Sequence, residues 1–139
     1  MKHTFKQFTA DRAGTSAIEF AFVAPVFILL MLGIVCFGVL FGTYNGVEQL
    51  AAESARAAVA GLSAAERGQL AQNYVSANVG AYGFLNPSDV TVTTSSQATT
   101  FQVTIAYDMS QSFIFKIGNT FLTVNPTITR SAAIQNGGF

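Results

Sequence analysis

Between Phe20 and Gly42 the chain reads FAFVAPVFILLMLGIVCFGVLFG, with no formally charged side chain. Wound as an α-helix, this stretch rises about 34 Å, against a bilayer hydrocarbon core of about 30 Å. A buried helix in a chain of 139 residues normally keeps one polar face. This one is apolar on every side, so it is read as a membrane-spanning helix. Pro25 lies inside it, removes one backbone hydrogen bond and predicts a kink near residues 20–24. Gly33, Gly38 and Gly42 offer small surfaces on which another helix can approach closely.

The flanking charges give the helix a direction. Lys2, Lys6 and Arg12 precede it, offset only by Asp11, whereas Glu48 and Glu53 come before the first basic residue beyond it, Arg56. The positive-inside preference then leaves the short N-terminus in the cytoplasm and sends the chain outward from about Thr43. A cleaved secretory signal fits poorly. Its apolar core would be shorter, and the nearest A-x-A, at residues 58–60, lies far downstream. A lipoprotein reading at Cys36 fails as well, because Val35 precedes the cysteine where a small residue is needed. Cys36 is read as a small apolar thiol within the helix.

Composition narrows the function classes. The chain is 50% hydrophobic and 10% charged, which excludes a solvated disordered chain. Seven basic residues balance seven acidic ones, so there is no positive field to attract nucleic acid, and Lys116 and Arg130 are too sparse to form such a surface. One cysteine excludes an internal disulfide and a cysteine-based zinc site.

Just before the apolar run stands DRAGTSAIEFAFVAP, residues 11–25, in which Gly14 precedes the lone carboxylate Glu19 by five positions. This resembles the prepilin class: a short basic leader ending in glycine, then a mature chain whose fifth residue is a glutamate opening a long apolar helix. More closely, Gly14-Thr-Ser-Ala-Ile-Glu-Phe-Ala followed by Pro25 is similar to the TadE-like pseudopilins of tight-adherence (Tad) pili. The resemblance covers about 30 residues of this chain. It implies cutting by a prepilin peptidase between Gly14 and Thr15, with Glu19 and Phe20 serving assembly. The partners it implies are that peptidase, other pilins or pseudopilins, the Tad inner-membrane machinery and the lipid bilayer. The location it implies is the bacterial inner membrane, single-pass, with the C-terminal domain periplasmic. The domains expected are a leader at 1–14, a membrane helix at 15–43 and an exported α+β domain at 44–139.

Beyond the membrane, helical periodicity covers about residues 45–60. Val47, Leu50, Ala51, Ser54, Ala57 and Ala58 share one stripe, and any bend would fall at residues 42–46. Ser63 and Glu66 have the form of a capping box opening a second helix at about 64–79, with Leu70, Tyr74 and Ala77 on one face. Asn86-Pro-Ser-Asp89 reads as a turn. Alternation at 90–93 and 101–107 predicts two strands joined through the polar stretch 94–100. Residues 113–117 are helix or strand, Gly118-Asn119 a turn, and 121–124 and 127–134 one or two final strands. Phe113, Phe115 and Phe121 are assigned to core, with an exposed docking patch as the alternative. The expected fold is α+β: a long N-terminal transmembrane helix extended by a helical spine, then a small antiparallel sheet of three to four strands.

No catalytic constellation emerges. His3 lacks a partner, and Asp89 and Asp108 read as turn or loop acids. Glu48, Glu53 and Asp108 lack an EF-hand pattern, so no metal and no cofactor are assigned. The sequence therefore predicts a structural minor pilin of Tad pilus assembly and surface adhesion, not an enzyme. The alternative is an uncleaved single-pass anchored scaffold of a secretion machine.

Overall fold

The computed structural model describes residues 12–121 and 125–135. Helix α1 (Arg12–Ala58) is followed by α2 (Ala64–Asn78), two 3-10 turns (Val79–Ala81 and Pro87–Asp89), strands β1 (Val90–Ser96) and β2 (Thr100–Asp108), helix α3 (Phe113–Phe121) and strand β3 (Thr127–Gln135). The chain divides into two compact units, Met1–Phe37 and Gly38–Phe139. Helix α1 is assigned without interruption through Pro25 and through residues 42–46, where the sequence had left room for a bend.

In the second unit the later part of α1 buries one stripe: Val47, Leu50, Ala51, Ser54, Ala55 and Ala58. Ala55 replaces Ala57 on the expected face; Ala57 is only half-buried. The buried Ser54 hydroxyl donates to the Ala51 carbonyl at 3.0 Å, so it adds no unpaired polar atom to the core. Helix α2 opens as expected. Ser63 Oγ accepts from the Glu66 N–H at 3.2 Å, and Glu66 Oε2 accepts from the Leu62 N–H at 2.9 Å. Its buried face is Gly68, Ala71 and Val75, one position along from the Leu70–Tyr74 face the sequence suggested; Ala77 is exposed. The reason is close approach. A methyl group at Gly68 would stand 3.3 Å from Thr94 Oγ1 of β1, so the helix settles with its small residues against the sheet.

The sheet is antiparallel in the order β1-β2-β3, with Val92 opposite Ile105 and Ile105 opposite Arg130. Central strand β2 alternates sharply, burying Phe101, Val103, Ile105 and Tyr107 against the helices, with Ile128 joining from β3. Strand β1 extends to Ser96, so the hairpin turn is shorter than expected and closes with the Gln97 N–H donating to the Thr100 carbonyl at 2.8 Å. The segment from Phe113 resolves as helix, and Gly118 and Asn119 lie within it rather than in a turn. The Ser112 hydroxyl accepts from the Phe115 N–H at 3.1 Å and so holds the first turn. Phe115 packs on the core, but Phe113 is 72% exposed and is not core. Phe121 ends the helix instead of opening a strand, and the rest of that expected strand, 122–124, lies outside the described residues.

Candidate processing and assembly segment

The residues singled out from the sequence fall on the first turns of α1. Gly14 and Thr15 lie within α1, two and three residues past Arg12, the first described residue. Gly14 is exposed, and a Cβ there would meet nothing within 4 Å. Glu19 lies four residues beyond Thr15, one helical turn and about 6 Å along the axis, on the same side of the helix. Phe20, 72% exposed, follows directly. Glu19 makes no ion pair with any described side chain. Pro25 has no N–H to give to the Ala21 carbonyl one turn back, which leaves one polar backbone group free inside the apolar stretch.

From Ile18 to Phe41 large apolar side chains face outward all round α1, including Phe22, Phe27, Leu29, Ile34 and Phe37. The most apolar window of this helix has a mean hydropathy of 2.8 and is 0% buried within the fold. A soluble monomer rarely exposes so large a contiguous apolar surface. This helix is long and apolar enough to cross a membrane.

The glycines of the run divide by surroundings. Gly33 and Gly38 have open space around a notional Cβ, but a methyl group at Gly42 would fall 2.7 Å from Cε2 of Phe84. Gly42 is thus used within the chain, to seat the Phe84 ring, and is closed to the helix partner the sequence had suggested for it. A Cβ at Gly46, one turn on, would stand 3.6 Å from Leu85 Cδ1, in ordinary van der Waals contact. Sequence reasoning missed this seat. Its only local trace is Tyr82-Gly-Phe84 beside Gly80, in a stretch without charge from Gly68 to Ser88.

Arg130 of β3 reaches back to α1. Its guanidinium stands 4.9 Å over the Tyr44 ring, and its Nε lies 3.9 Å from Glu48 Oε2. Both ends of that ion pair are well exposed, so it contributes little stability. No group of three metal-ligating side chains occurs among the described residues.

A family model described as TadE-like protein matches residues 14–56, a span that takes in both the apolar run and the first turns beyond it. No curated protein and no solved structure matches significantly.

Proposed function

The chain is TadE-like over residues 14–56, and from that premise we propose that it serves as a structural minor pilin, or pseudopilin, in the assembly of a Tad pilus that mediates surface adhesion. In this reading a prepilin peptidase cuts after Gly14 on the cytoplasmic face of the bacterial inner membrane. Helix α1 stays in the bilayer and the domain from Thr43 onward is periplasmic. Cleavage removes Lys2, Lys6 and Arg12 against Asp11 alone, so the remaining chain is net acidic. Thr15 then carries a free ammonium.

The observation that supports this reading is the lone carboxylate of Glu19, one helical turn from Thr15, at the entrance of an exposed helix uncharged as far as Gly42. A single charge in mid-membrane costs about 2.5–3.5 kcal/mol on insertion scales. Opposite unit charges about 4 Å apart attract by about 4 kcal/mol at an effective dielectric near 20, before desolvation. The two quantities are comparable, so Glu19 becomes tolerable in lipid once an ammonium stands beside it. The Thr15 amine of the same or an adjacent subunit supplies that ammonium. Pairing between subunits sets their axial register while the apolar helices pack together.

Two measurements test the reading. Intact mass or N-terminal sequencing of protein from cells with a working prepilin peptidase is expected to give a chain starting at Thr15. Glu19→Ala is expected to remain membrane-inserted while pilus number and association with partner pseudopilins fall. A chain starting at Met1 and indifferent to Glu19→Ala is instead an anchored scaffold.

A further inference from the structure

Helix α1 passes from its apolar run into the domain core with no linker between them. Gly42 ends the apolar run, and the next residue, Thr43, is already buried, its hydroxyl donating to the Val39 carbonyl at 2.8 Å. The loop that follows α2 seats Phe84 against Gly42 itself, so this ring lies at the level where the apolar run ends. Phe84 is nevertheless 54% exposed.

The loop is chemically suited to lipid. It carries no charge, and the whole stretch from Gly68 to Ser88 has none. Its backbone polar groups are partly satisfied from within. The Leu85 N–H donates to the Tyr82 carbonyl at 2.8 Å, and the Tyr107 hydroxyl accepts from the Asn86 N–H at 3.3 Å and donates to the Phe84 carbonyl at 3.4 Å. Paired backbone is what allows irregular chain to leave water. Buried Leu85 anchors the loop on Gly46, while Asn45 and Gln49 line the shallow cleft beside Tyr82 with amides suited to a headgroup layer. Burial first, then Tyr74 and Glu53, raises the Tyr82 phenol above its ordinary value and keeps it neutral.

We propose that the loop around Tyr82, Gly83 and Phe84 dips into the interfacial layer on the domain side of the bilayer that α1 crosses. Phe84 enters the acyl boundary and the loop fixes the height of the domain above the membrane. This rests on α1 spanning the bilayer, and aromatic rings at that depth are a general anchoring device.

The chain contains no tryptophan, so a single introduced indole reports one position. The full-length protein is reconstituted into phosphatidylcholine vesicles carrying bromine either high on the acyl chain or near its end. Phe84→Trp is expected to show blue-shifted emission and a marked loss of intensity with the shallow bromine, and less with the deep one. Gly83→Trp, at a position with open space around its Cβ, is expected to behave in the same way and covers the case in which Phe84→Trp disturbs packing. Leu30→Trp, within the run, serves as the control and is expected to lose most intensity with the deep bromine. If Leu30→Trp is quenched but neither loop indole is, the loop proposal is overturned and the spanning helix stands. Blue-shifted but unquenched loop indoles mean that a second copy of the chain covers the loop, which also overturns it. If no position is quenched, α1 does not span and both readings fall.

Discussion

Gly61 shows how little room a single position can leave. A Cβ there would meet Arg67 Cγ at 2.6 Å and the Arg67 backbone nitrogen at 2.7 Å, while Arg67 Nε donates to the Gly61 carbonyl at 2.9 Å. The requirement is close approach, since no glycine among the described residues has positive φ. Gly61→Ala is therefore expected to destabilise the domain by shifting the start of α2, read as a lower midpoint in denaturant unfolding. Ser63→Ala removes one half of the reciprocal cap and is expected to cost about 1 kcal/mol in the same measurement. Both effects are local, and neither is expected to change membrane insertion.

Among elements, the two phenylalanines Phe101 and Phe113 separate what pattern alone reveals from what it does not. Phe101 opens the alternation of β2 and is 1% exposed beneath the helices. Phe101→Ala is expected to cost about 3–5 kcal/mol, through lost burial and the cavity left behind. Phe113→Ala, at the exposed start of α3, is expected to stay within about 0.5 kcal/mol. Strands over 90–93 and 101–107 were legible because strict alternation marks a half-buried strand, but residues 94–96, which the sequence places in the polar connection, continue β1. The segment from Phe113 was not, because a short apolar stretch has the same composition as helix or strand. Its ambiguity also hid the true role of Gly118 and Asn119, which continue a helix. On α2 the period was legible but its phase was not: small residues at Gly68 and Ala71 face the sheet because they let backbones approach, and a hydrophobicity count favours Leu70 and Tyr74.

At the scale of the whole molecule, one helix carries both a segment long and apolar enough to cross a membrane and one wall of the core, so insertion and folding are expected to be separable by mutation. Leu30→Arg places a charge near the middle of the run and is expected to weaken insertion by about 2.5–3.5 kcal/mol, seen as protein released by alkaline extraction. Leu50→Ala, in the buried stripe of the same helix, is expected to leave insertion intact and destabilise the domain by about 2–5 kcal/mol. The membrane-spanning length of α1, the TadE-like junction and the α+β class followed from sequence alone, because hydrophobic length, local spacing and period are properties of contiguous residues. The seat of Phe84 on Gly42, the Tyr107 hydroxyl under the loop and the reach of Arg130 to Tyr44 were decided only in three dimensions. Each joins residues far apart in the chain, and those pairings exist only once the sheet has chosen its register and the helices have closed over it.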